Sequence, residues 1–247
     1  MKLTKIKPQF LKKHNPRIGL ITLSSDFRIE KDFNDVIHGK NIDLFSNRIQ
    51  SYNPLTNENL KKMAENITKV TKDILPDQKL DCVAYGCTSG TIASGYDSIF
   101  EKINIAKPNT KVTTPITSAI KAIKALKINK LSIFTPYTNE INQSLINYFK
   151  KEKIEADELF YFDIESDLDI GKVDPDYLFE VLTKINSSKD KALFVSCTAL
   201  PVLSIIKDLE NKLGKIILSS NQTLIWDTLK QIQYKNKIDG FGELFSY

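Results

Sequence analysis

The amino-acid sequence predicts an α/β protein made of two pseudo-symmetric, doubly wound (Rossmann-like) halves. Each half is expected to contain a short parallel sheet of about four strands, with a site in the cleft between the halves. Short apolar runs alternate with amphipathic stretches along the 247 residues, which leave room for two small domains. The segment Val83–Thr91 (VAYGCTSGT) also has a counterpart at Leu193–Pro201 (LFVSCTALP). Each is an apolar run that ends in Cys-Thr, so the sequence indicates a doubled fold.

The composition is that of a globular protein, with 41% hydrophobic and 26% charged residues. The sequence has no apolar run long enough to span a bilayer, and residues 1–17 lack the apolar core of a secretory signal, so a cytoplasmic protein without a membrane partner is expected. The 35 basic and 30 acidic residues are scattered, without the basic stripe and interleaved aromatics of a nucleic-acid interface. Three cysteines are better interpreted as thiols than as a disulfide framework.

The first half is predicted to follow a basic arm, residues 1–16. Thr56 or Asn57 can cap a helix whose apolar residues recur at helical spacing, and Pro115 is tolerated in a first helical turn. The predicted elements are strands at Arg17–Leu23, Ile42–Ile49, Leu80–Tyr85 and Val112–Thr114, and helices at 27–38, Thr56–Ile74, Ser89–Ile103 and from Pro115.

The same order of elements then begins again. Lys130–Asn139 aligns on Arg17–Asp26 without a gap, which predicts another first strand. The elements predicted after it are a helix at Asn139–Glu152, a strand at Glu158–Ile164, a helix at Asp174–Ile185, a strand at Ala192–Val195, a helix at Pro201–Leu213, a strand at Ile216–Leu218 and a helix from Asn221. We expect residues 17–113 plus 221–247 to form the first half and residues 114–220 the second. A repeat this long is a doubled fold and not a solenoid array.

Polar clusters follow the predicted strands in both halves. They are Ser24–Asp26, Cys87–Ser89, Thr114, Tyr137–Asn139, Cys197–Thr198 and Ser219–Gln222. Ligands of open parallel sheets bind outside the carboxyl ends of the strands. The six clusters are therefore expected to line one cleft.

Cys87 and Cys197 are the candidate reactive groups. A helix N-terminus predicted just after each would lower a thiol pKa from about 8.5 toward neutrality. Cys82, in mid-strand, is assigned to the core. Cys82-x4-Cys87 lacks a second ligand pair and the two histidines lie near the N-terminus, so no metal site and no histidine-dependent hydrolase is expected. The sequence has no glycine-rich phosphate-binding loop, so neither a nucleotide nor a dinucleotide is expected.

Two facing thiols permit two kinds of chemistry. One thiolate can take a proton from a carbon beside a carboxylate while the opposite thiol returns one to the other face. Alternatively, a thiolate can add to an activated double bond and let it rotate. Both routes build negative charge on the substrate carboxylate, for which Thr88, Ser89, Thr198 and nearby backbone N–H groups are candidate donors.

Several motifs together resemble the Asp/Glu racemase superfamily, in the branch of maleate cis-trans isomerase, arylmalonate decarboxylase and the ectoine-utilisation protein. The motifs are GCTSGT, SCTALP, LSSDF, FTPYTNEIN and SSNQTLIWDTL, and the resemblance covers about residues 17–232. It implies a cofactor-independent enzyme acting on a small carboxylate. This resemblance is also the only basis for expecting a homo-oligomer. By position, Cys87 and Cys197 would be the catalytic pair. Thr88, Ser89 and Tyr137 would bind the carboxylate, with help from the backbone around Thr198.

Differences within the family favour a racemase or cis-trans isomerase. Decarboxylases of the branch typically have glycine at the first cysteine position, whereas this sequence has a cysteine at both positions. A malonate-type decarboxylase using Cys197 alone and a non-catalytic ligand-binding protein are the alternatives. Maleate isomerases have asparagine where this sequence has Asp26, and an anionic side chain there would suit a zwitterionic or cyclic amidine substrate. Asp26 could equally cap the next helix. The predicted substrate-binding residues are Ser25, Asp26, Thr88, Ser89, Tyr137, Asn139 and Thr198.

Overall fold

Two four-stranded parallel sheets form the centre of the protein, whose computed structural model describes residues 1–185 and 192–247. The first contains β1 (Arg17–Leu23), β2 (Asp43–Ile49), β3 (Cys82–Gly86) and β4 (Lys111–Thr113), and the second contains β5 (Lys130–Thr135), β6 (Glu155–Tyr161), β7 (Ala192–Val195) and β8 (Ile216–Ser219). The strand orders, β2-β1-β3-β4 and β6-β5-β7-β8, are equivalent. The predicted doubled α/β fold is therefore confirmed.

Helices connect and cover the strands. They are α1 (Ile29–Ile37), α2 (Asn57–Ala64), α3 (Ile67–Lys72), α4 (Thr88–Ser94), α5 (Tyr96–Ala106), α6 (Pro115–Ala125), α7 (Asn139–Lys151), α8 (Asp167–Gly171), α9 (Pro175–Lys184), α10 (Ile206–Leu213) and α11 (Ser220–Gln231), with short 3-10 turns at Leu203–Ile205 and Glu243–Ser246. The Thr56 hydroxyl accepts a hydrogen bond from Asn59 N (3.2 Å) and caps α2, as its sequence predicts.

Some predicted boundaries were wrong. The single helices expected at Thr56–Ile74 and Ser89–Ile103 are each two helices, and the second pair separates at Gly95, whose φ of +79° ends α4. The strand expected at Glu158–Ile164 lies three residues earlier, since β6 pairs with β5 from Glu155. The short helix α8 after β6 was not predicted at all.

The hydrophobic core joins the halves. One cluster of buried side chains includes Val83 and Tyr85 of β3 together with Val195 of β7 and Leu200 beyond it. A second cluster surrounds β5, β7, α6 and α7. The carboxyl ends of β3 and β7 consequently meet inside the protein, and this is where both Cys-Thr pairs lie.

The N-terminal arm, residues 1–16, forms no helix or strand in the structure, and side chains such as Leu3 and Phe10 are almost fully exposed. Within residues 1–185 and 192–247, no helix is long and apolar enough to cross a membrane.

Candidate active site

Cys87 lies at the junction of β3 and α4. Its backbone is extended (φ −145°), and its Sγ accepts a hydrogen bond from Gly90 N at 3.2 Å, so the thiol caps the helix. The Ser89 hydroxyl is 3.8 Å from the same sulfur. A Cβ at Gly90 would lie 2.8 Å from Cys87 Sγ and 2.9 Å from Tyr85 Oη. Glycine is therefore needed for the sulfur to lie over the helix end.

Cys197 is held differently. It follows β7 with a φ of +111°, a conformation that L-residues rarely adopt and that costs roughly 1–3 kcal/mol. Its backbone N–H donates to Ser220 Oγ (3.0 Å), at the start of α11. The expectation of a helix N-terminus just after this cysteine was wrong: regular helix α10 begins only at Ile206, because the chain runs through a loop and a 3-10 turn first.

Burial decides the pKa of both thiols. Cys87 and Cys197 are 4% and 5% exposed, and burial raises the pKa of Cys87 to about 12 and that of Cys197 well above its usual value. The Gly90 N–H acts in the opposite direction on Cys87 but is outweighed. The expected lowering of the thiol pKa toward neutrality is therefore wrong, because both sulfur atoms are buried. Both thiols are protonated at neutral pH unless a ligand changes their surroundings.

Hydrogen bonds across the two halves bring the cysteines into one site. Thr88, next to Cys87, shares a hydrogen bond with Ser220 (Oγ1 to Oγ, 2.9 Å), and Ser220 also accepts from the Cys197 N–H. In return, the Thr198 hydroxyl donates to the carbonyl of Gly86 (3.3 Å). Each Cys-Thr pair therefore contacts the opposite half.

Tyr137 lies at the end of β5 and is 2% exposed. Its main chain is fixed by Asn142, which accepts from the Thr135 hydroxyl (2.6 Å) and donates to Tyr137 O (3.1 Å). The phenol oxygen accepts from Ser196 Oγ (3.4 Å) and lies beside Cys197, whose pKa it lowers against the larger effect of burial. Burial raises the pKa of Tyr137 well above 10, so the phenol is a neutral donor.

Asn139 does not join these residues. It is exposed in the first turn of α7, and no hydrogen bond links it to either Cys-Thr pair in the described part of the chain. The buried amide of this region is Asn142, one helical turn further on. The sequence interpretation selected Asn139 of the NEIN segment, whereas the structure places Asn142 beside Tyr137, because only the fold shows which face of α7 points inward.

Asp26 is buried (1% exposed), and the structure shows the helix-capping role that its sequence allowed. Its Oδ1 accepts from Arg28 N (2.7 Å) and Ile29 N (3.1 Å), which fixes the first turn of α1. Its Oδ2 is buried and accepts no hydrogen bond from any described residue. Burial raises the pKa of this carboxyl, against the effect of the Arg28 and Ile29 N–H groups and of the nearby Thr198 hydroxyl.

Two further buried carboxyls were not predicted. The neighbour of Asp26, Ser25, donates to Asp167 Oδ2 at 2.6 Å, although Asp167 belongs to the other half. Asp32 of α1 accepts from Asn221 Nδ2 (2.7 Å). Burial raises the pKa of Asp167 to about 6 and that of Asp32 to about 7. The sequence analysis placed Asn221 in a polar cluster after a strand. It gave no indication of Asp167, which lies in the unpredicted helix α8.

Comparison with known proteins identifies the family to which the chain belongs. The pattern of the Amdase family, described as arylmalonate decarboxylase, matches residues 52–245. The chain belongs to this family. The branch that the Cys-Thr motifs indicated is therefore confirmed.

Relatives in this family include maleate isomerases. The maleate isomerase of Geobacillus stearothermophilus is 25% identical over 245 residues, which covers 93% of this chain and 97% of the relative. The crystal structure of the maleate isomerase Iso from Pseudomonas putida superposes with a TM-score of 0.86 at 22% identity and covers 94% of this chain and 98% of that one.

A second structure shows cysteine chemistry on the same fold. It is a cysteine-to-serine variant of the Nocardia farcinica maleate cis-trans isomerase with a covalently bound succinylcysteine intermediate, and it superposes with a TM-score of 0.85 at 17% identity. It covers 93% of this chain and 98% of that one. The family fold thus extends over nearly all of this Amdase-family chain.

Proposed function

We propose that this protein is a cofactor-independent isomerase or racemase of a small carboxylic acid and that Cys87 and Cys197 are its catalytic residues. The observation that supports this most directly is the pair of buried thiols at equivalent strand ends, linked through Ser220. The equivalent positions of the two thiols in the duplicated fold support a shared site to which each half contributes one sulfur. A substrate carbon between them would have a sulfur on either face.

Two reaction courses fit two thiols. In a racemase, one thiolate removes the proton from the carbon beside the carboxylate, the electron pair moves onto the carboxylate, and the opposite thiol delivers its proton to the other face. In a cis-trans isomerase, a thiolate forms a C–S bond to one alkene carbon, the resulting single bond rotates, and the C–S bond breaks as the double bond returns. The succinylcysteine found in the Nocardia enzyme favours the second course by analogy.

The substrate carboxylate would be bound by hydroxyl and backbone donors. Thr88 and Ser89 begin α4, and the Tyr137 phenol is neutral at all ordinary pH values. Thr198 follows Cys197 and is buried between the halves. Such donors stabilise the charge that both reaction courses build on the carboxylate.

Asp26 favours a substrate with a positive charge at its far end. The buried Oδ2 has no donor among the described residues, and a second substrate carboxylate would be repelled by it. We therefore propose a zwitterionic or amidine-containing carboxylic acid in preference to maleate.

A decarboxylase of a malonate-like acid is the second candidate. It is supported by the family description and by the contact of Tyr137 with Cys197, which gives this thiol a hydrogen-bonding phenol close to its sulfur. In that reaction Cys197 alone would protonate the carbanion left after CO2 departs.

One set of incubations separates these functions. Wild type, Cys87→Ser and Cys197→Ser are incubated with candidate acids in D2O, and α-proton exchange, configuration and CO2 release are followed. Exchange or isomerisation lost in both variants supports the two-thiol enzyme. Release of CO2 that survives Cys87→Ser indicates the decarboxylase, and no turnover of any acid of the family's substrate classes favours a ligand-binding protein.

A further inference from the structure

Buried carboxyl groups form a cluster around Asp26 that draws on both halves. Asp26 and Asp32 come from the β1–α1 region, while Asp167 comes from α8 of the second half and is joined to the first half by its 2.6 Å hydrogen bond from Ser25. The exposed fractions of the three are 1%, 8% and 4%. Each additional ionised carboxylate in such a space disfavours the others, so the cluster requires compensation.

Two acceptor oxygen atoms at this cluster have no hydrogen-bond donor among the described residues. Asp26 Oδ2 and Asn221 Oδ1 are both buried acceptors that receive no hydrogen bond from residues 1–185 or 192–247. The orientation of the Asn221 side chain is fixed by its amide nitrogen, which donates to Asp32 Oδ2 and to Thr198 O. Buried oxygen atoms without donors cost roughly 1–3 kcal/mol each. A ligand with several N–H groups would supply what is missing.

Two arginine side chains near the cluster are directed elsewhere. The Arg48 guanidinium donates to the carbonyls of Leu23 and Asp26 and pairs with Glu30. The Arg28 guanidinium donates to the carbonyl of Gly171. Neither forms an ion pair with a carboxylate of the cluster, although the Arg48 charge acts against burial on the pKa of Asp26.

The cluster also faces the thiols. After burial, the charge of Asp167 raises the pKa of Cys197 more than any other group does, and Asp167 and Asp26 both raise the pKa of Cys87. A dianionic substrate would add to this effect, whereas a cation between the carboxylates and the sulfurs would oppose it.

We propose that Asp26 and Asp167, one from each half, form a subsite for the ammonium or amidinium group of the substrate, opposite the hydroxyl groups that hold its carboxylate. This inference rests on the proposed function for the position of the carboxylate and the thiols. Asp26 Oδ2 accepts one N–H of the cation, and Asp167 supplies the second negative charge. The bound cation also makes a neighbouring thiol easier to ionise.

The test compares two ligands of the same shape that carry opposite charges at one end only. In 3-amidinopropanoate a planar amidinium replaces one carboxylate of succinate, so calorimetric titration of both ligands isolates the effect of charge. Wild type should bind 3-amidinopropanoate at least tenfold more tightly than succinate near pH 8. Asp26→Asn and Asp167→Asn should each lower this preference about tenfold, which is roughly the effect of one charge contact.

Asp169→Asn is the matched control, because Asp169 lies on the same short helix but its side chain is 57% exposed and pairs with Lys172. It should leave the preference unchanged. Equal or tighter succinate binding by wild type, no binding of 3-amidinopropanoate at millimolar concentration, or the same preference in Asp26→Asn and Asp167→Asn as in wild type would each overturn the inference. Because binding is measured without turnover, the outcome is independent of whether Cys87→Ser and Cys197→Ser abolish exchange, which tests the proposed reaction.

Discussion

The two halves share a strand order but hold their thiols by different means. In the first half, Cys87 caps α4 in a relaxed extended conformation and receives the Gly90 N–H. In the second, Cys197 has a φ of +111°, has no helix directly after it, and contacts Ser220 and the neighbouring Tyr137. The two halves thus place a cysteine at equivalent strand ends but support it with different local contacts. Two such thiols need not be equivalent in acidity or in role.

The largest expected effect tests whether both thiols are needed. Replacing either sulfur by a hydroxyl removes a general acid or nucleophile, so Cys87→Ser and Cys197→Ser should each lower kcat for isomerisation by about 100- to 10,000-fold. Steady-state kinetics on the substrate found in the D2O incubations measure this. If one variant retains wild-type turnover, the two halves are unequal in function as well as in structure.

The second prediction concerns how much the buried carboxyl of Asp167 lowers the stability of the protein. The pKa of Asp167 is raised from 3.8 to about 6 by burial, so the folded state loses stability as pH rises from about 4 to 6 and carries the full penalty above that. Asp167→Asn should therefore stabilise the protein by about 2–3 kcal/mol near pH 8 and by little near pH 4. Urea unfolding at both pH values measures the difference.

Asp169→Asn serves as the control for this measurement as well, since its side chain is exposed. A stabilisation by Asp167→Asn that is the same at both pH values would show that the Asp167 carboxyl does not titrate in this range. Gain of stability together with loss of ligand preference is the trade-off expected of a residue retained for binding.

The third prediction tests the link between the halves. Ser220 Oγ accepts from Cys197 N and shares a hydrogen bond with Thr88, so Ser220→Ala leaves a buried N–H and a hydroxyl without their partner. We expect a loss of about 1–3 kcal/mol in unfolding free energy. Turnover should fall with it, because Cys197 loses the contact that fixes its backbone. Thr223→Ala on the same helix is a useful control, since the Thr223 hydroxyl bonds to carbonyls of its own helix and to Pro115.

The sequence was sufficient to predict the fold and the positions of the two thiols at strand ends, because both depend on local, repeated signals. Apolar periodicity gave most strands to within three residues, and the two Cys-Thr motifs identify themselves by recurrence. The acidic cluster is different in kind. Asp167 approaches Ser25 across 142 positions of sequence, and nothing in the ESDLDIG segment distinguishes a buried aspartate from an exposed one. The thiol pKa was misjudged for a related reason, since burial depends on packing between the halves.

The smallest expected effect discriminates between the two asparagines of α7. Asn139 is exposed and Asn142 is buried, where it bonds Thr135 and Tyr137. Asn139→Ala should change kcat/KM less than twofold, because exposed positions away from a site contribute little. Asn142→Ala should lower stability by about 1–3 kcal/mol and displace Tyr137, since its partners remain buried. Measuring both variants in parallel shows which residue orients the phenol beside Cys197. A large loss of activity in Asn139→Ala with normal stability would mean that substrate binding rotates the start of α7 inward, so that the second half closes on its ligand while the first half is already formed.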